Sequence, residues 1–191
     1  MALVLTSAPA VEPATVAEAK AHLRVDHDSE DALIAGLITT ARLHIEAALG
    51  LALITQGWSY RLDAWPAGGA VVLPVRPVQS IAAVRITAAD ATVATLTPER
   101  YLLDGASVPP RLVAITPPWP RPGLVAQGIE IAFTAGYGNT ASAVPPSIRQ
   151  ALLLLVAHWY EHREPLLVGE AAAPVPDTIA TLLAPHRMVR L

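Results

Sequence analysis

The sequence predicts an α+β fold: a three-helix scaffold with an antiparallel β-rich insertion between the second and third long helices. Three observations predict it. Apolar residues recur at helical spacing from Leu33 to Leu49, and a proline-started run, apolar on every side for two turns, extends from Ile148 to Tyr160. Between these segments lie short runs of Val, Ile, Leu, Thr and aromatic residues, separated by Pro, Gly and Asp turns with no helical period among them. Strands that follow one another without crossover helices pair antiparallel.

Taken in order, the amino end MALVLTSAPA is apolar but lacks the basic start of a secretory signal, and is expected to be a flexible or docking arm. Thr15-Val16-Ala17-Glu18 has the form of a capping box, which predicts a short helix over 16–23. After a turn through Val25–Asp28, Asp28 or Ser29 is placed to cap a second helix, with Glu30 and Asp31 in its first turn. Its stripe is Leu33, Ile34, Leu37, Ile38, Ala41, Ile45, Ala48 and Leu49, and Gly50 suits the position after its end.

Strands are then expected at 54–63, where Trp58, Tyr60 and Leu62 alternate with smaller or polar residues, and at 71–73, 81–87, 92–96, 101–103, 112–115 and 129–134. Most of the 18 prolines fall between these runs. Val144-Pro145-Pro146-Ser147 starts a third helix, which runs through His158-Trp159-Tyr160 and stops before Pro165. Two turns of it are apolar on every side, so it should be buried on more than one face. A short helix over 177–183 follows a proline-rich stretch. The domain reading is residues 1–50 as an arm and two helices, 51–138 as the β-rich insertion, 139–165 as the long apolar helix, and 166–191 as a proline-rich linker and docking tail.

Composition excludes several function classes. With 191 residues, a net charge of −3 and Lys20 as the single lysine, the chain lacks the clustered basic residues that grip nucleic acid. The absence of cysteine excludes disulfide scaffolds, thiolate metal sites and cysteine nucleophiles. The longest strongly apolar run, Ala151–Ala157, is too short to span a bilayer, so no membrane partner is expected. An apolar surplus with only 15% charged residues points instead to area buried between subunits.

His158 and His162 share a helix face and could hold a metal ion, with Glu161 or Glu164 as a third ligand; this opens a reading as a metal-dependent hydrolase. Trp159 stands where the general-base carboxylate of the zinc-protease motif would be, and both histidines suit the negative end of a helix dipole instead. The expectation is therefore no metal and no cofactor. His22, Asp26, His27 and Asp28 match no metal-loop spacing and read as turn and cap residues. No Gly-x-Ser-x-Gly elbow occurs, and Gly136-Tyr137-Gly138 lacks any phosphate-loop lysine, so no catalytic residue is assigned. Residues 1–50 carry seven acids against three basic residues, and the tail His186-Arg187-Met188-Val189-Arg190-Leu191 is basic and apolar, a peptide suited to an acidic groove on a partner.

The order of these features resembles the head-to-tail connector (adaptor) proteins of long-tailed bacteriophages and phage-like gene transfer agents. The likeness is carried by Thr15–Asp26, the helix Asp31–Gly50, the strand Leu53–Trp58, the exit Phe133–Gly138 and the segment Val144–Glu164. The resemblance implies a non-enzymatic structural virion protein of the neck, assembled in the bacterial cytoplasm. It would form a ring, dodecameric in the family, seated on the portal protein and presenting a platform to a tail-side neck, stopper or tail terminator protein, with double-stranded DNA passing without specific binding. On this reading His186 to Leu191 dock on the portal. Asp28, Glu30 and Asp31 face the bore and repel phosphate, and Leu153, Val156, Trp159 and Tyr160 contact the next subunit. A neck or tail protein that never touches the portal is the neighbouring alternative.

Overall fold

The computed structural model describes residues 1–162 and 176–188. The chain divides into two compact units, a sheet unit of residues 1–10 and 50–137 and a helical unit of residues 11–49 and 138–191. The fold is α+β with antiparallel sheets. Among the described residues the helical unit holds four α-helices: α1 (Val16–Leu23), α2 (Asp31–Leu49), α3 (Pro146–Glu161) and α4 (Asp177–Leu183). The expected three-helix scaffold is thus a set of four helices among the described residues, the fourth being the short one expected over 177–183.

The sheet unit contains β1 (Ala2–Ser7), β2 (Gln56–Leu62), β3 (Ala70–Val72), β4 (Val78–Thr87), β5 (Val93–Thr95), β6 (Tyr101–Asp104), β7 (Arg111–Ala114) and β8 (Ile129–Ala135). One sheet has the order β1-β2-β8-β4-β5 and the other β3-β7-β6. All seven expected strands form. The expected flexible or docking arm is an ordered strand, β1, running antiparallel to β2 with Leu3 opposite Tyr60 and Leu5 opposite Trp58. The alternation rule missed it because Leu-Val-Leu has no polar partner face to reveal a period of two.

Register explains the core. Trp58 lies opposite Phe133, Tyr60 opposite Ile131 and Leu62 opposite Ile129, and β4 adds Ile81, Val84 and Ile86 in the same rows. These residues form one apolar face, which clusters with Val71, Leu73, Leu112 and Trp119 around the smaller sheet. Trp65 stacks on Trp119 with ring centroids 4.2 Å apart. Each indole N–H donates to a backbone carbonyl, of Pro120 and Gly69 respectively. The opposite face of the large sheet is polar: Glu130 accepts from Ser59 at 2.7 Å and pairs with Arg85 at 3.2 Å and Arg61 at 3.8 Å.

In the helical unit the Thr15 and Glu18 capping box forms as expected, with the Glu18 N–H donating to Thr15 Oγ1 at 3.1 Å. Neither Asp28 nor Ser29 caps α2 in the expected way, because each side chain is taken by another partner. Lys20 Nζ binds Asp28 at 2.5 Å, and Ser29 Oγ meets His27 Nδ1 at 2.8 Å. The helix begins at Asp31 and is followed by Gly50 at φ 63°, the left-handed conformation expected after a helix end. Its buried face is Ile34, Ile38, Ala41, Ile45 and Leu49. By length and hydropathy alone this 19-residue helix could cross a membrane. Its buried face is instead covered by α1 and α3, with Arg42 and Glu46 buried in it as a 2.9 Å ion pair. Burial of α3 is on Ile148, Ala151, Leu152, Leu155 and Val156.

Candidate assembly surfaces

The chemistry-bearing residues of the helical unit are held by a few polar ties. Arg149, in the first turn of α3, donates from Nε to the Pro13 carbonyl at 3.0 Å and pairs through Nη2 with Glu18 at 2.5 Å. Glu18 thus closes the α1 cap and binds α1 to α3. Its carboxyl is held below the ordinary value of 4.5, first by the Thr15 backbone N–H and then by Arg149. Arg42 reaches Glu12 at 2.7 Å through Nε as well as Glu46, and Thr39 Oγ1 adds a 3.0 Å bond to Glu12. This buried network pins the segment before α1 to the middle of α2. Sequence patterning could not find it, since Arg42 and Glu46 interrupt the apolar stripe as ordinary surface residues would.

The three acids expected to face a bore lie together at the start of α2, but none is bare. Lys20 bridges Asp28 at 2.5 Å and Asp31 at 2.8 Å, and Glu30 accepts from the Tyr160 hydroxyl at the far end of α3. The lysine bond holds the Asp28 carboxyl below its ordinary value, and Asp28 in turn raises Lys20. With Asp28 and Asp31 sharing one lysine and Glu30 bound to a neutral hydroxyl, the three acids keep a local surplus of negative charge. That surplus extends over the unit: residues 11–49 and 138–191 contain eleven acids and seven basic residues, whereas the sheet unit contains five acids and six arginines.

Of the four residues assigned to a subunit contact, Val156 is fully buried inside the helical unit and belongs to its core. It follows Leu155 on the face that meets α2, so an apolar run on every side left its direction undetermined. Leu153, Trp159 and Tyr160 are half-buried, and the Trp159 ring meets His44 edge-on at 5.8 Å. Leu33 and Leu43 on α2 add exposed apolar area at 39% and 53%.

The histidine pair is a helix end. His158 and His162 rings lie 4.6 Å apart, and His162 Nδ1 donates to the His158 carbonyl at 2.8 Å, which uses the ring as a cap for the last turn. Glu161 is exposed, and Glu164 lies outside the described residues. Among the described residues no group of three or more His, Asp or Glu side chains could hold a metal ion.

At the carboxyl end, α4 buries Ile179 and Leu183 and packs on α3. His186 Nε2 meets Ser147 Oγ at 2.8 Å, so the end of the short segment that follows α4 is tied to the start of α3. Arg187 is exposed and Met188 half-exposed; Val189, Arg190 and Leu191 lie outside the described residues.

Comparisons with known proteins agree on one assembly. No curated protein matches the chain. Among solved structures, a chain in the neck of an empty GTA particle computed with C6 symmetry is 31% identical with a TM-score of 0.84, covering 100% of this chain and 97% of that one. A chain of the virion of a native gene transfer agent particle is 32% identical at TM-score 0.83, again covering 100% and 97%. A chain in the neck of a native GTA particle computed with C12 symmetry is 30% identical at TM-score 0.75, covering 98% and 97%. A family profile described as head completion protein matches residues 14–189, and with this span the chain belongs to the head completion protein family.

Proposed function

We infer that the chain is a structural component of the neck of a gene transfer agent or phage-like particle, forming a ring that joins the portal to the tail and lets DNA pass. The observation that carries the reading is the end-to-end match, at 31% identity, to a chain in the neck of an empty GTA particle. The related neck computed with C12 symmetry supports twelve copies per ring. Head completion is a structural role, not an enzymatic one, and the use of the His162 ring as a cap on α3 fits that.

Within the ring, His186, Arg187, Met188, Val189, Arg190 and Leu191 form the portal-docking end, and the packing of α4 on α3 with the exposure of Arg187 supports this. Leu153, Trp159 and Tyr160 take part in subunit contacts. Asp28, Glu30 and Asp31 face the bore, where the surplus of acid in the helical unit keeps phosphate from adhering. Tail-side neck proteins cover the opposite rim.

Light-scattering mass after size exclusion tests this, for the chain alone and mixed with the portal ring of the same particle. A co-eluting complex with many copies per portal is expected, and Arg187→Glu/Arg190→Glu is expected to lower its yield at least tenfold while the chain keeps its fold. A chain that stays monomeric with portal present overturns the adaptor reading. A ring that forms but never binds portal supports a neck protein seated elsewhere.

A further inference from the structure

The large sheet ends in two free edges, β1 and β5. Neither strand carries a charged residue or a proline. β1 exposes Leu3, Val4 and Leu5 at 39%, 44% and 44%, and Val93 of β5 is exposed at 59%. The outer N–H and C=O groups of such an edge are a template for another strand, and soluble proteins ordinarily blunt long edges with lysine, proline or a covering loop. Six residues without any of these make β1 an edge built to be covered. It is also a seated strand. The Met1 ammonium pairs with Asp63 at 3.3 Å, and the Tyr60 hydroxyl donates to Met1 Sδ at 3.2 Å. Gly57 lets the end of β1 approach closely, since a side chain there would meet Thr6 and Ser7 at 3.0 and 3.1 Å.

We propose that β1 of one copy pairs with β5 of the next, so that the five-stranded sheets join into one continuous band around the ring. The proposal rests on the ring reading above. A closed ring needs two different surfaces on each subunit that meet head to tail, and β1 and β5 stand at opposite ends of one sheet. Both edges are neutral, so their approach costs no like-charge repulsion. The charges flanking them are already engaged: Met1 by Asp63, and Asp90 by the Thr92 hydroxyl at 2.6 Å. The dimensions also fit. With strands about 4.8 Å apart, a sheet of five advances about 24 Å per copy, and twelve copies would describe a band of about 46 Å radius, ample for a duplex to pass. The short β5, Val93–Thr95, confines the ladder to three residues, so Leu3 and Leu5 add apolar contact to a small set of backbone bonds.

Because the chain has no cysteine, engineered pairs report the contact directly. Residues opposite each other in neighbouring strands place their Cβ atoms about 5 Å apart, close enough for a disulfide after small shifts. Leu3→Cys, Val4→Cys and Leu5→Cys are each combined with Ala94→Cys in the full chain, assembled under the conditions that give the native ring, and oxidised. At least one pair is expected to yield a ladder of cross-linked multimers reaching the ring mass and collapsing to monomer on reduction, while each single variant stays uncross-linked. A ring of native mass that gives no cross-link in any pair overturns the contact and leaves the ring standing. Cross-linked dimers from a β1 cysteine alone would place β1 against β1 and overturn it too. A monomeric mass under every condition, with portal present, removes the ring reading and this contact together.

Discussion

At the scale of single residues, the helical unit depends on charges that are paired where water is scarce. Arg42 is 8% exposed at its side chain and Glu46 10%. Removing the arginine leaves two acids facing each other in a poorly solvated place, so Arg42→Ala is expected to cost about 3 kcal/mol in chemical denaturation, and Glu12→Gln/Glu46→Gln in the same background to recover part of it. The α1 cap is a smaller term: Thr15→Ala removes the hydroxyl acceptor for the Glu18 N–H and is expected to cost about 1 kcal/mol by the same measurement. Glu18 and Glu130 both have carboxyls held below 4.5, Glu130 first by the Ser59 hydroxyl and then by Arg85. A carboxyl depressed on folding stabilises the protein above its unfolded value and loses that contribution as pH falls through the folded one. Stability should therefore decline below about pH 4.5, and the gap between the native chain and Glu130→Gln should close over the same interval.

At the scale of elements, α4 is a short attachment that packs on α3. Seven residues hold it to α3 through Ile179 and Leu183, with the His186 to Ser147 bond as the last tie. Ile179→Ala is expected to cost about 2 kcal/mol locally. It should be read as faster proteolysis within 177–188 and loss of amide protection there, with the melting midpoint of the chain little changed. Unchanged cleavage would mean that α4 is held by more than its two buried side chains. Strand β1 depends on a different element-level condition, the close approach allowed at Gly57. Alternation made β2 readable because Trp58, Tyr60 and Leu62 point to one side, and the periodicity of α2 showed five of its buried residues. Leu33 and Ala48 belong to the stripe yet are exposed, because a stripe drawn from apolar identity alone is wider than the face another helix can cover.

At the scale of the whole molecule, the charge is divided between two units that the linear chain interleaves. The first fifty residues already showed the acidic bias, but only the fold assigned residues 1–10 to the neutral-to-basic sheet unit and residues 138–191 to the acidic helical one. Exposed apolar edges and a small excess of negative charge suit a subunit whose remaining surface is completed by copies of itself. Leu5→Lys, at an exposed position of β1, is expected to leave far-ultraviolet circular dichroism and the monomer's melting midpoint unchanged while lowering the assembled mass from ring to monomer. A ring of native mass from this variant would show that β1 lies outside the subunit contact.

The sequence by itself determined the secondary elements that have a period or a cap, the absence of thiol chemistry and strong nucleic-acid grip, and the likeness to connectors, because each depends on local spacing or on composition. Only the tertiary structure decided that the amino-terminal arm is an edge strand, that Val156 is core, that Lys20 clamps Asp28 and Asp31, and that Arg42 and Tyr160 reach Glu12 and Glu30. These outcomes depend on which distant group arrives beside a side chain, and a buried partner 30 or 130 residues away leaves no mark on the local pattern.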